Sequence, residues 1–546
     1  MLLLLLRIRA EALIFRREWG YSQKEFHCSP IKYALLRTRL KGGPSITRVS
    51  HTVIVDNAGL IELRSPRDDL VKEQIEGEDR FICVHGPFEH YERTLVVSEG
   101  ETGHEVTESF VFRLAIPLWR PLFNLFFRRS LLKRNIPWWA PPNRLDTRAA
   151  KVLSLLAAIQ IVDGYLGTVI TQTITFAADE FGRGSTAQGV TLAVVRVGVL
   201  VALGVMLIAD KKGRRRLLLV ATLGALALTA LGAFSPNLWF LGGTQIVARG
   251  LTTGMGILIG VMAAEELPRG SRAYGVSLLS LSAALGAGMA VWVLPVADLH
   301  EQGWRIVYLV PLLSLPLIAA VRRQLPETLR FEANSEAETL SSKQQHLEYR
   351  RLFLLAAGAF LFLFFASPAS QFQNDFLRDH RNYNAAGITM YTLLTSTPAA
   401  IGIFWAGKWA DTRGRRPIGA VGLAGGTIFI TMSYFASSSL MWLTHLAGIV
   451  IGSLTVALGV YGPELFSTRH RAKANGTIVT IGVLGSASGL LLVGLLQDHF
   501  NNYGPAFLIA AIGPLLAAVL VLTKYPETAQ IKLEELNPDD IEIGDL

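Results

Sequence analysis

Three charged side chains stand inside otherwise apolar runs: Asp163 in IQIVDGYLGTV, Arg196 in LAVVRVGVLV and Arg249 in QIVARGLTTGMGILIG. In hydrocarbon each costs roughly 2.5–3.5 kcal/mol on insertion scales, so each needs a reason to be there. At about 1.5 Å of rise per residue, all three lie roughly 18–24 Å from the basic ends of their helices and share a depth. Desolvation and a neighbouring guanidinium act on such a carboxyl in opposite senses. That balance suits Asp163 to carry a proton and leaves Arg249 and Arg196 to hold an anion; the same groups also read as a fixed pair that locks helices together. One carboxylate against two guanidiniums leaves positive charge in excess, which in a low-dielectric cavity favours a carboxylate over a lipophilic cation. Tyr165 beside the aspartate, Gln371, Gln373 and Asn374 in SPASQFQND, and Tyr391, Thr395 and Ser396 in MYTLLTSTP add polar groups that can orient a substrate.

The elements that must position these groups are membrane spans. The chain has 546 residues, 51% hydrophobic and 17% charged, with a mean hydropathy of +0.37, against about 25% charged in soluble domains. Apolar segments of roughly 20 residues, enough to cross about 30 Å of hydrocarbon, recur twelve times. They fall near 152–177, 188–209, 217–234, 238–264, 274–297, 304–321, 352–374, 387–410, 417–436, 441–463, 474–497 and 505–523. The net charge of +9 is not spread as a nucleic-acid footprint. Lys and Arg crowd alternate short loops, roughly nineteen on one side against about four on the other, which predicts an integral plasma-membrane protein with both termini in the cytoplasm.

An internal duplication supports the even count. Asp210-x-x-Gly213-Arg214-Arg215 recurs as Asp411-x-x-Gly414-Arg415-Arg416, AEELPRGSRAYG as GPELFSTRHRAKANG, and LPETLRFE as YPETAQIK. All are offset by about 200 residues, as in two six-helix halves repeated in parallel. Glu265 or Glu266 then matches Glu464, and Arg272 matches Arg471. Gly213 and Gly414 supply the positive φ that reverses the chain in a few residues. Asp210 and Asp411 stand where they can accept backbone N–H groups at a helix start or pair with arginine.

On these motifs residues of about 150–530 resemble the major facilitator superfamily of transporters. The resemblance implies an all-α integral membrane fold of twelve helices. It also implies a cytoplasmic gate of Asp210, Gly213, Arg214, Asp411, Gly414 and Arg415, in which Glu265 and Glu464 meet the helix-cap arginines Arg272 and Arg471. The PELFSTRHRAKANG and PET stretches resemble the sugar-porter, metabolite–proton symporter and synaptic-vesicle-protein-like branches. In related proton-coupled porters an Asp of helix 1 interacts with an Arg of helix 4, which matches Asp163 and Arg249. The DGY stretch resembles aromatic-acid symporters, but Leu166 follows Tyr165 where they carry a second acid. Gln371-Phe372-Gln373 and Tyr461-Gly462-Pro463 depart from the sugar-porter patterns and argue against a hexose.

The expected organisation is an irregular segment 1–45, a small cytosolic α+β domain 46–135 ending in a basic amphipathic helix at 116–134, and an interfacial linker 136–150. A six-helix half 151–322, a central loop 323–350, a second half 351–524 and an acidic tail 525–546 follow. The N-terminal strands faintly resemble the end of a START-like lipid-binding fold; the reading preferred for them is a fusion remnant without a ligand. MLLLLLRIRA lacks the flanks of a signal peptide. Cys28 and Cys83 suggest neither a disulfide framework nor a metal cluster. No Walker motif is present, HEQGW lacks a second zinc histidine, and GSASG has Ala at the nucleophile position. The expectation is a monomeric secondary transporter, not an enzyme, without cofactor, metal or nucleic acid. Its partners are a small-molecule substrate, a proton and the lipid bilayer. Proton-coupled import of a small organic acid comes first; proton-antiport efflux of drugs or metabolites, and a non-transporting sensor or scaffold, are the alternatives.

Overall fold

A computed structural model describes residues 46–100, 103–183, 185–338, 348–383 and 385–538. The segment expected to be irregular, 1–45, lies outside them, as does the side chain of Asp210. The chain divides into two compact units. The smaller comprises residues up to Pro66 with Ile75–Ile82 and Tyr91–Phe112; the larger comprises Arg67–Gln74, Cys83–His90 and everything from Arg113 onward.

The N-terminal sheet has five strands, β1 Thr47–Val55, β2 Lys72–Gly77, β3 Arg80–His85, β4 Phe88–Gly100 and β5 Gly103–Leu114, in the order β1-β5-β4-β3-β2. Alternation drives it: along β5 the side chains of Val106, Glu108, Phe110, Phe112 and Leu114 are buried and their neighbours are not. The buried Glu108 is matched within the smaller unit by Arg93, 3.1 Å away. Helix α1, Asn57–Arg64, starts on the Asp56 cap. Helix α2, Arg120–Lys133, is the expected basic helix; Phe127 and Leu131 are buried while Leu122, Leu125 and Phe126 stay exposed.

The larger unit is a helix bundle. The first half holds α3 Thr147–Glu180, α4 Val190–Ala209, α5 Arg214–Gly232, α6 Leu238–Glu266, α7 Arg269–Ala297 and α8 Gly303–Gln324. The segment expected to be only a loop contains α9, Leu329–Glu338. The second half holds α10 Tyr349–Arg378, then α11 Ala385–Ser396 and α12 Ala399–Arg413, then α13 Arg415–Phe435, α14 Ser438–Glu464, α15 Arg471–Phe500 and α16 Tyr503–Lys524. Eleven helices among the described residues are long and apolar enough to cross a membrane. The segment expected to be a continuous helix over 387–410 is instead the α11–α12 pair, because Thr397-Pro398 interrupts it and proline cannot donate to the helix ladder.

Glycine sets the closest crossings. A Cβ on Gly164 or Gly286 would collide with backbone carbonyls of Ala283 and Ile161, which seats α3 against α7. About 200 residues on, Gly485 and Gly489 stand in the same relation to Phe360 and Phe364, which seats α15 against α10. The duplication read from the loops is thus repeated in the packing.

Gly213 and Gly414 follow α4 and α12 at φ 93° and 103° with ψ 145°, a region that L side chains scarcely enter. A Cβ there would also lie 2.7 Å from Glu327 Oε2 and 2.8 Å from Glu527 Oε2. Gly414→Ala is expected to destabilise the protein by about 1–3 kcal/mol. Gly204→Ala, where a Cβ meets nothing within 4 Å, is expected to be neutral or stabilising by up to about 1 kcal/mol. Thermal midpoints of the purified variants check this contrast, and equal midpoints would refute it.

Candidate functional site

The α3–α7 crossing at Gly164 fixes the turn that carries Asp163. Asp163 Oδ2 accepts a hydrogen bond from Gln160 Nε2 at 2.8 Å, from three residues earlier on the same face. Among the described residues, Oδ1 is shielded and has no hydrogen-bond partner. Gly256 of α6 passes opposite, where even a Cβ would stay 3.6 Å from Oδ2. One turn along α3, Arg249 Nη1 of α6 donates to the carbonyl of Gly167. Among the described residues no ion pair joins Asp163 to Arg249. The carboxyl and the guanidinium therefore occupy one neighbourhood, and each retains capacity for another partner.

Arg196 sits where α4 tightens into a short 3₁₀ turn, Arg196–Gly198. Gly198 and Gly250 let α4 and α6 cross there with their backbones in contact. Arg196 Nη1 donates to Ser486 Oγ of α15 at 2.9 Å, and Ser486 Oγ lies 2.7 Å from Ser367 Oγ of α10. The third charge thus links the first half to the second at depth.

The other expected substrate contacts divide. Gln371 and Asn374 are exposed, and Gln371 reaches only 3.5 Å from Ser367 Oγ. Tyr165 leaves the set: two residues after Asp163 it points about 200° round the helix. It is buried there, and its hydroxyl donates to the Val307 carbonyl of α8 at 2.9 Å. Tyr391 is also packed away, its ring centroid 4.8 Å from Trp442 and 5.0 Å from His445.

At the basic face the repeated loops close the two halves on each other. Glu265 accepts from Arg214 at 2.8 Å in its own half and from Arg471 in the other. Its counterpart Glu464 accepts from Arg415 in its own half and from Arg272, at 3.3 Å, in the other. Of the two candidates Glu265 is therefore the match to Glu464; Glu266 instead binds Arg148 at 2.7 Å. Asp411 receives two amides near the start of α7, Ala273 N at 3.2 Å and Tyr274 N at 2.8 Å, while holding Arg415 at 3.1 Å. Arg214 Nη2 also crosses, to the Thr468 carbonyl at 2.7 Å.

Sequence reasoning missed the partners of these loops. Glu327 accepts from the amides of Arg214 and Arg215, both at 3.1 Å, and Glu527 from those of Arg415 at 3.0 Å and Arg416 at 3.2 Å. Each PET glutamate thus caps the helix that follows a glycine turn, where a carboxylate answers the free N–H groups. Burial raises the Glu327 carboxyl above its ordinary range, and the amide bonds from Arg215 and its neighbours oppose that rise. The signal was in the text, since the two PET stretches repeat at the loop's own offset. Gln160 and Ser486 were legible only as spacing: one stands three residues before Asp163, the other in the GSASG stretch considered for hydrolase chemistry.

Two repeated six-helix bundles, latched at one face around charged groups at mid-depth, define a secondary transporter rather than an enzyme. The Major Facilitator Superfamily profile matches residues 155–395 and 352–539, and the chain belongs to that family of multi-pass membrane proteins. It is 23% identical over 405 residues to the cis,cis-muconate transport protein of Acinetobacter baylyi, spanning 68% of this chain and 95% of that protein. It is likewise 23% identical to the gentisate transporter of Corynebacterium glutamicum, spanning 68% and 88%. In fold it is similar to the proton:xylose symporter XylE, at a TM-score of 0.60 and 16% identity over 72% of this chain and 99% of that one.

Proposed function

We propose that this protein is a proton-coupled importer of a small organic acid. It works as a monomer in the plasma membrane by alternating access, with its basic face and both termini cytosolic. The observation that carries the reading is Asp163: a carboxyl at mid-span, held by Gln160 on one oxygen and unpartnered on the other, one helical turn from the site where Arg249 anchors. A substrate carboxylate entering between Arg249 and Arg196 adds negative charge beside Asp163 and favours its protonation, so anion and proton load together. Arg196, already bonded across to Ser486, lets the bound anion be felt by both halves. Gln371 and Asn374 of α10 complete the orientation. Relatives named for transport of muconate and gentisate, both carboxylates, agree with the charge balance.

The test is thermal stabilisation by a panel of carboxylates (muconate, gentisate), hexoses and lipophilic cations. A ligand at 100 times its Kd adds about 2.7 kcal/mol to apparent stability. The expected outcome is stabilisation by carboxylates alone. Arg249→Ala should weaken it by about 10–150-fold in Kd, the worth of one or two charge-assisted hydrogen bonds. Stabilisation by lipophilic cations, or carboxylate binding untouched by Arg249→Ala, would overturn the assignment.

A further inference from the structure

Two cavities adjoin at the basic face, and transport as proposed uses neither. One, about 660 Å³, is lined among the described residues by the cationic groups Lys72, Arg144, Arg269, Arg272, Arg330 and Lys532 and by the carboxylate of Glu534. Part of this charge is matched internally. Arg144 binds Asp68, Arg272 binds Glu464 and Arg330 binds Glu534. Among the described residues the side chains of Lys72 and Arg269 make no hydrogen bond or ion pair. Arg330 is 4% exposed, yet among the described residues its Nε has no partner. A buried guanidinium N–H left unsatisfied in a cavity of like charges is a donor waiting for an anion.

The second cavity, about 410 Å³, is apolar; Trp119, Phe123, Phe127, Trp139, Leu281 and Leu285 line it, between α2, the linker and α7. Pro142 and Arg144 belong to both walls. A basic chamber opening beside an apolar groove, next to a helix that leaves Leu122, Leu125 and Phe126 exposed, matches a molecule with a phosphate at one end and an acyl chain at the other.

We propose that this paired cavity binds an anionic phospholipid, with the headgroup phosphate among Arg269, Lys72 and Arg330 and an acyl chain in the groove. The consequence is regulatory. Arg269 and Arg272 lie in the first turn of α7 of the first half, whereas Lys532 and Glu534 follow α16 of the second. A phosphate between Arg269 of the first half and Arg330, which is paired with Glu534 of the second, ties the halves together and relieves repulsion among the cations, so it favours the state closed at the basic face and slows its opening.

The full-length protein in phosphatidylcholine nanodiscs, with and without phosphatidic acid, tests this. Inorganic tripolyphosphate in detergent is the soluble arm. Phosphatidic acid is expected to raise the thermal midpoint and slow substrate counterflow. Lys72→Ala and Arg269→Ala should each weaken the apparent lipid affinity at least about tenfold, the loss of one charge-assisted contact. Both positions are exposed, so the variants should melt like the parent in pure phosphatidylcholine. Stabilisation by tripolyphosphate alone would keep the phosphate site and overturn the phospholipid. No effect of either probe, or an effect indifferent to both substitutions, would overturn the proposal.

Discussion

Asp163→Asn is expected to abolish uphill transport while leaving substrate exchange nearly intact. If one proton accompanies one carboxylate, the cycle is electroneutral and the pH difference alone drives it. One pH unit is worth about 1.4 kcal/mol, so wild-type proteoliposomes should accumulate substrate about tenfold across it. An asparagine is nearly isosteric and its amide oxygen can still accept from Gln160, which bonds one carboxylate oxygen at 2.8 Å. It carries no proton to exchange. The variant should therefore equilibrate substrate without concentrating it. Counterflow, which needs no net proton movement, should proceed within a few-fold of wild type. The unpartnered second oxygen of Asp163 is what separates this expectation from a structural one. A carboxylate kept only to hold helices would have its partners around it, and its loss would lower stability and both transport modes together. That joint loss, or full accumulation by the variant, refutes the proton-carrier role.

What the sequence disclosed, and what it withheld, follows from the range of the interactions. The spans, their repeat and the glycine turns are local: hydropathy over about 20 residues, a backbone angle that only glycine tolerates, and motifs that recur in register. Asp163, Arg196 and Arg249 announced themselves because a charge in an apolar run is costly wherever the chain goes next. The failures concern direction. Tyr165 lies two residues from Asp163 in sequence but is turned to the opposite face of α3, where it meets Val307. Tyr391 was counted as a polar group, whereas the fold spends its ring against Trp442. The choice between Glu265 and Glu266 needed the third dimension too, since neighbouring helical residues differ by about 100° and only one can face the other half. Ser486, the partner of Arg196, carries no signal in its own segment, because its role comes from a residue 290 positions away.

The gate makes the second large prediction. Glu265 bonds two arginines that are fully buried, Arg214 within its half and Arg471 across the interface. Removing one partner of a buried pair typically costs about 3–5 kcal/mol. For Glu265→Gln that cost falls unevenly. The Arg214 contact persists however the halves move, so its loss weakens every state alike. The Arg471 contact exists only while the basic face is closed, so its loss, about 1.5–3 kcal/mol for a charge-assisted bond, falls on the closed state alone. The open-to-closed ratio should rise by roughly 10–150-fold. A cysteine at Ser277, buried in the closed interface beside Gly407, reports this as faster alkylation in a background lacking Cys28 and Cys83. Glu265→Gln combined with Arg471→Met should return the rate toward that of the parent, because removing both partners leaves no charge stranded by this contact on the second half's side of the closed interface, while the loss at Arg214 is common to every state. Glu464→Gln should act in the same direction through Arg272. If Glu265→Gln lowers the melting temperature but leaves alkylation of the Ser277→Cys reporter unchanged, the glutamate braces one half and does not latch the two.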